Sequence, residues 1–428
     1  MELGTAKCVI TPEHPVRLCG YASRSIPFEG IEEDIYLRVH IQKQKKEYFL
    51  FVYGDLLWWN SEFVSEVRPI LSDKYQIRQE NIWFVASHNH SGPGTGKSFT
   101  ASLETYDEPY GKWLTTQIDK TVEKAIESME QVSVVRYAGN CDLNVYRRKK
   151  DESGSICMRP NYQIPADKHL TIIGYYRTDG TLKGFLIHYP CHANLSDCNA
   201  VQPDYPGIAL RMMDEYYPGS ISMFFQGCTA DLRPNSVLGN RFISCDYAKV
   251  RLFAEQFFEF CQRTISNGGK KMEIASESLL LSKTKRIKLP LRQDFTKEQV
   301  NSALTSDRQE VRQWAEKVLE KDMRSWEELE ISCISYGNEL SFVFMNAEIS
   351  QEYAAYARSI FSGCICSAYS NGMIGYLASE KQIHAGGYEP EGSALYFALA
   401  GTYRPEIEGI IKTTIRELLN ETNSDWEV

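Results

Sequence analysis

Ile82-Trp83-Phe84-Val85-Ala86, followed at once by Ser87-His88-Asn89-His90, is the stretch on which the reading of this chain turns. Five apolar residues in a row, β-branched and aromatic among them, describe a strand covered on both faces. Such a strand sits in a sheet with parallel neighbours and helices on its flanks. Upstream, Tyr48-Phe-Leu-Phe-Val-Tyr53 is a second run of this kind, ending at Gly54-Asp55. Between the two, Asn60 can cap a helix that places Phe63, Val64, Val67, Ile70 and Leu71 on one face. Strand, helix, strand is an α/β signature.

The same pattern extends outward. Residues 110–130 predict an amphipathic helix with Leu114, Ile118, Val122, Ile126 and Met129 turned inward. Residues 132–200 are strand-rich, with apolar runs at 170–176 and 184–188 joined by an Asp179-Gly180 hairpin turn. Residues 221–225 and 341–345 read as further buried strands, and 246–263 and 405–420 as helices. Residues 296–330 are helical in pattern but heavily charged, a solvated helical pair with a lid as the alternative. With no internal repeat and no low-complexity linker, the expectation is one α/β domain over residues 1–428, mixed β-sheets flanked by helices, carrying 296–330 as a charged helical insertion.

Charge and composition narrow the function classes. The 428 residues carry 47 basic and 56 acidic side chains, a net charge of −9, which argues against a nucleic-acid binder. No stretch reaches the roughly 18 consecutive apolar residues of a membrane span. The opening Met-Glu-Leu-Gly-Thr-Ala-Lys-Cys has neither the basic nor the apolar segment of an export signal. The expected setting is cytoplasmic, with no stable membrane insertion and the twelve cysteines as reduced thiols. Nothing in the sequence specifies an oligomeric state.

Two motifs compete for the chemistry. Ser91-Gly-Pro-Gly-Thr-Gly-Lys-Ser98 comes near a phosphate-binding loop, and an ATP-binding module using Gly92–Ser98, Lys97 included, is one hypothesis. Against it, serine replaces the first glycine, and Pro109 interrupts the segment where a helix should run. The stronger motif is histidine at strand ends. His88 and His90, two apart on extended backbone, would project to one side at a strand's carboxyl end, where open α/β sheets bind ligands. His192 lies in the turn after the 184–188 run, with Asp204 twelve residues further on, while His188 within that run reads as structural. Glu348 follows the 341–345 run in the same way. Histidines and a carboxylate from separate strand ends suit a catalytic zinc that keeps one position for water.

The order of segments resembles a known family. Gly4-Thr-Ala-Lys-Cys-Val-Ile-Thr-Pro12, Ser87-His-Asn-His-Ser-Gly-Pro-Gly94, Tyr146-Arg-Arg148, Cys191-His192 with Asp204-Tyr-Pro-Gly207, Phe225-Gln-Gly-Cys-Thr-Ala-Asp-Leu-Arg-Pro-Asn235, and Tyr376 with Tyr388-Glu389 occur in the order seen in the catalytic domain of neutral, non-lysosomal ceramidases. That resemblance implies a zinc ion held by His88, His192, Glu348 and Tyr376. It also implies that His90, Arg147 and Tyr388 line the site; there His90 could relay a proton to the leaving amine, Tyr388 could donate to the developing oxyanion, and Arg147 could hold a polar or anionic substrate group. Asp204 and Asp231 would orient ligands. The family's C-terminal immunoglobulin-like domain is not expected in this chain. Departures fall on the substrate side: Tyr146 for asparagine, Ala230 for glycine, and Arg233 where sphingolipid-cleaving members tend to have serine. The expectation is therefore a zinc-dependent hydrolase of a linear amide bond in a soluble small molecule rather than ceramide. The alternatives are an esterase or lactonase, a carbohydrate-acting enzyme on the same scaffold, and a metal-binding protein without catalysis.

Overall fold

The structure, a computed structural model, describes residues 1–272 and 280–423. The first sheet contains β1 (Glu2–Val9), β2 (Tyr36–Gln44), β3 (Glu47–Gly54), β4 (Ile82–Ala86), β5 (Glu130–Asn140), β6 (His169–Arg177), β7 (Leu182–Tyr189) and β8 (Met223–Gln226). Across the sheet their order is β8-β7-β6-β5-β1-β2-β3-β4. Along the chain, α1 (Ser61–Tyr75), α2 (Glu108–Glu127), α3 (Asp204–Tyr216) and α4 (Tyr247–Ser266) intervene or follow. A second sheet has the order β9 (Leu281–Pro290), β10 (Trp326–Tyr336), β11 (Leu340–Met345), β12 (Cys364–Ser367). Helices α5 (Lys297–Ala303) and α6 (Gln309–Glu320) separate β9 from β10, α7 (Gln351–Ile360) separates β11 from β12, and α8 (Glu380–Ala385) and α9 (Ile407–Asn423) come last.

Three neighbouring pairs of these strands are parallel: β3 with β4, β7 with β8, and β11 with β12. A parallel pair cannot be closed by a tight turn, and a helix supplies each crossover: α1, α3 and α7. Parallel strands need cover on both faces. From Phe49 onward every residue of β3 is buried, as is every residue of β4, β7, β8, β11 and β12. All of these except β12 are apolar runs that the sequence displays. The two sheets meet through aromatic rings. Phe51 stacks on Trp83 with centroids 5.0 Å apart, and Phe225 lies 5.5 Å from Phe51 and 5.4 Å from Phe344 of the second sheet. Helix α1 packs against β4, α2 against β1 and β2, α3 against β8, α4 against β5 and β6, and α7 and α9 against the second sheet.

Local expectations hold with adjustments. Asn60 caps α1, its Oδ1 accepting from the Glu62 N–H at 3.0 Å. Ile70, however, is 55% exposed. At about 100° per residue, the buried arc of α1 runs from Phe63 to Arg68, which is drawn inward to Glu330 at 3.1 Å, and Ile70 falls past the arc's edge. The Asp179-Gly180 turn joins β6 to β7, the strand after it starts at Met223 rather than 221, and Met129 lies beyond the end of α2. The charged stretch 296–330 is α5, α6 and the first turn-free residues of β10, so its last part is strand. Its helices are not merely solvated: Val300, Trp314, Ala315 and Val318 form a small core, and the Trp314 indole donates to Leu399 O at 2.8 Å. Among the described residues the twelve cysteines are free thiols, and no helix is long and apolar enough to cross a membrane.

Candidate metal centre

The carboxyl ends of the six parallel strands are stitched to one another. Ser87 N donates to Gly54 O at 3.2 Å, joining the ends of β4 and β3. The Gln226 side chain at the end of β8 donates to both Ser87 O and Cys191 O at 2.9 Å, tying in β4 and the turn after β7. Ala368 N donates to Gln226 O at 3.1 Å, and Tyr369 N to Ala347 O at 3.2 Å, which brings in β12 and β11. Loops that carry His88, His90, His192, Glu348 and Tyr369 are thereby fixed around one point. Three residues here adopt left-handed backbone although none is glycine: His88 (φ 62°), Asp204 (φ 52°) and Tyr369 (φ 54°). Such conformations cost on the order of 1 kcal/mol or more each and concentrate at functional sites. His88 is therefore not on extended backbone, as its spacing to His90 suggested, yet the two rings still meet.

The imidazoles face one another. His88 Nε2 lies 2.8 Å from His192 Nε2 and 3.2 Å from His90 Nε2, and all three rings are buried. Each ring's other nitrogen lies against a backbone carbonyl: His88 Nδ1 on Leu57 O at 3.0 Å, His90 Nδ1 on Gly20 O at 3.2 Å, His192 Nδ1 on Thr229 O at 3.3 Å. A carbonyl can only accept, so these contacts assign the proton to Nδ1 in every ring. Three Nε2 atoms then point at one volume. Burial, and next the neighbouring His88, hold His90 and His192 well below the usual imidazole range, so a shared proton is disfavoured as well. Convergent imidazoles, each oriented from behind by a carbonyl, could hold a divalent cation.

Acidic and phenolic groups complete the wall. Glu348 Oε2 is 3.4 Å from His88 Nε2 and accepts from the Tyr369 hydroxyl at 3.3 Å. Tyr369 stacks on His88 with centroids 3.9 Å apart and shares a 2.6 Å hydrogen bond with Thr229. A two-residue parallel ladder puts Glu348 opposite Tyr376. The Tyr376 ring is 5.6 Å from that of Tyr388, and the Arg147 guanidinium is 5.5 Å from the Tyr376 centroid. Glu389 holds Arg147, Nε to Oε1 at 2.8 Å, and also takes Arg148. Burial alone would raise the Glu389 carboxyl, but the two guanidinium groups hold it below its usual range. Burial pushes the Tyr388 hydroxyl up, so it stays a donor.

The remaining sequence candidates fall into different places. Asp204 accepts from Leu195 N at 2.9 Å and Tyr205 N at 2.6 Å, pinning the loop after His192. Asp231 accepts from Ser350 Oγ at 2.8 Å, Gln351 N at 3.0 Å and Gln382 Nε2 at 2.7 Å, which binds the segment after Glu348 to α8. Both act on backbone and neighbouring side chains; the histidine Nδ1 atoms are met by carbonyls instead. Arg233 lies on the short strand Leu232–Pro234, which pairs with Asn144–Tyr146. His188 stays in β7 and contacts Cys366 O at 3.0 Å through Nε2, away from the other rings. Ser98 does not open a helix: the next one starts at Glu108, and the Ser98 hydroxyl donates to Asn60 Oδ1 at 3.0 Å. Tyr369, Gln226 and Thr229 went unread; Gln226 and Thr229 sit inside a quoted motif, and Tyr369 follows a buried strand end just as His88 does. A cavity of about 600 Å³ is lined by Arg68, Lys321, Arg324, Glu327 and Phe397 among others and includes none of the histidines. Phe397 separates it from Tyr376, 5.8 Å away.

Comparison with known proteins places the chain in a family. Residues 2–255 match the family described as neutral/alkaline non-lysosomal ceramidase, N-terminal. The fold is similar to that of neutral ceramidase from Pseudomonas aeruginosa, with a TM-score of 0.74 and 17% identity over 99% of this chain and 75% of that one. A ceramidase solved in complex with C2 gives a TM-score of 0.74 and 16% identity over the same shares. No curated protein sequence matches the chain. Matched over more than half its length by that family's model, the chain belongs to the neutral/alkaline non-lysosomal ceramidase family.

Proposed function

We propose that this protein is a zinc-dependent hydrolase of a linear amide bond in a soluble small molecule. The observation that carries the reading is the convergence of buried Nε2 atoms with Glu348 beside them. His88, His192, Glu348 and Tyr376 are assigned as the residues that hold the metal, and His90 as the base next to it. When bound, zinc supplies Lewis-acid polarisation of the scissile carbonyl and makes a water acidic enough to attack near neutral pH. The Tyr388 hydroxyl donates to the carbonyl oxygen as charge builds on it. Water adds to the carbonyl carbon while His90 Nε2 accepts its proton; the C–N bond then breaks and His90 returns that proton to the amine. Arg147, fixed by Glu389, holds a polar group of the substrate. Asp204 and Asp231 keep the loops in place.

The three histidines alone also form a compact donor set, which makes His90 a rival to Glu348 as ligand. Elemental analysis of purified variants separates the two. Glu348→Ala and His88→Ala should each lose most of the bound zinc. His90→Ala should keep it and lose about 10²–10⁴-fold in kcat, the usual worth of a positioned acid–base group. Full zinc in His88→Ala sinks the site, and zinc loss confined to the histidine variants reassigns the ligands. A panel of matched N-acyl and O-acyl compounds then decides between amidase and esterase.

A further inference from the structure

Two arginines stand beside the histidines with hydrogen-bonding capacity that the protein itself does not use. Arg147 is buried, and although its Nε is held by Glu389, its Nη2 has no partner. Arg233 has a buried Nε without a partner, and its Nη1 reaches only the Met158 thioether at 3.5 Å. The guanidinium lies 4.8 Å from the Phe242 centroid. Among the described residues Arg233 forms no ion pair. A buried guanidinium normally finds a carboxylate, because an unpaired N–H costs its full desolvation and an uncompensated charge costs more.

The register puts both side chains on one face. Arg233 lies opposite Val145, and the ladder continues as Arg147 N donates to Asp231 O at 2.8 Å. Residues directly opposite share a face, as do residues two apart on a strand, so Arg233 and Arg147 are diagonal neighbours. Diagonal neighbours are about 7–8 Å apart, a span two long side chains can close around one anion. Both are near enough to His192 to lower its affinity for a proton, and Arg147 disfavours the charge on Arg233. Planar guanidinium groups with free N–H donors suit a carboxylate.

We propose that Arg147 and Arg233 form an anion subsite next to the histidines, and that the substrate is an amide carrying a carboxylate within a few bonds of the scissile carbonyl. This rests on the amide-hydrolase reading above, and the test keeps the two apart. Three amides of matched length serve as probes: N-octanoylglycine, the mono-octylamide of succinic acid, and neutral N-octanoylethanolamine. They place the carboxylate on the amine side, on the acyl side, and nowhere. With the zinc-loaded full chain, one carboxylated probe should be preferred over the neutral one by about 30-fold in kcat/KM, or about 2 kcal/mol, chiefly through KM. In Arg233→Met that preference should fall below about 3-fold. Equal turnover of the neutral probe by the wild type overturns the proposal, whether or not the variant folds, and so does a preference that survives Arg233→Met. If no amide is cleaved, the hydrolase reading fails and the subsite is judged by melting temperature alone. It stands if a carboxylated probe stabilises the wild type more than the neutral probe and more than it stabilises Arg233→Met. It falls if the probes act alike.

Discussion

His188 and His192 differ by four positions and by nearly everything else. His188 is inside β7, where its Nε2 donates to Cys366 O at 3.0 Å and its Nδ1 has no partner. His192 is past the strand end, with Nε2 aimed at His88. Position relative to a strand end separates a structural ring from a site ring, and that much is visible in sequence. Tyr369 was not visible: it is one of 25 tyrosines, and only the packing of its ring on His88 marks it out. The structural role of His188 makes a pH prediction. Burial pushes its pKa from 6.5 down to about 4. Between those values the unfolded chain binds a proton and the folded chain does not, so this residue's contribution to stability is lost as pH falls from 6.5 towards 4. His188→Gln retains an amide donor for Cys366 O and removes the titration. Measured by urea unfolding, the stability of the variant relative to wild type should rise by about 2 kcal/mol between pH 7 and pH 5. Parallel pH curves for the two proteins would show that His188 does not titrate as its burial implies.

Helices were readable wherever one face was apolar over several turns, as in α2 and α4; of the capping residues that accept from a first-turn N–H, Asn60 was legible, while Asp107 and Asp246 are shown by the structure. The loop between β4 and α2 was harder, because its glycines imitate a phosphate-binding motif while serving another purpose. They let segments approach closely. A Cβ on Gly96 would lie 2.2 Å from Asn60 Cγ, and one on Gly94 would lie 2.2 Å from Thr105 O. Asn60 is the cap of α1 and also donates to the buried Glu104 at 2.8 Å, so the loop wraps around a helix start instead of making one. No single-sequence pattern distinguishes a glycine that faces a phosphate from one that faces an asparagine. Gly96→Ala must push Asn60 away and lose the cap, which should cost about 2–4 kcal/mol of unfolding free energy. Lys97→Ala, at an exposed side chain, should stay within about 0.5 kcal/mol of wild type. A nucleotide-binding loop would reverse the pattern in a ligand titration, with Lys97→Ala abolishing ATP binding.

At the scale of the molecule, three crossovers bring six strand ends to one place, and this is what the sequence could not display. The apolar runs predict strands; they do not say which of them are neighbours. Among the described residues, strand pairing joins the two halves of the first sheet at only two register pairs, Glu2 with Gln131 and Leu3 with Glu130, and Glu348 meets Tyr376 through a ladder two residues long. Contacts that short and that distant in sequence leave no periodic trace. They nevertheless hold the donors of the proposed metal, so the metal and the fold should be thermodynamically linked. A cation that binds the folded state and not the unfolded chain stabilises it by about 4 kcal/mol at a thousandfold excess over its Kd. Spread over the unfolding entropy of a chain this long, that is a shift of about 4–5 °C. Stripping the protein with a chelator should therefore lower its Tm by about that amount, and returning zinc should restore it. In His88→Ala/His192→Ala the chelator should leave the Tm unchanged, because the donors that couple metal to fold are gone. If the wild type melts at the same temperature with and without chelator, while elemental analysis confirms that metal was removed, then the six strand ends are held by the backbone stitching alone.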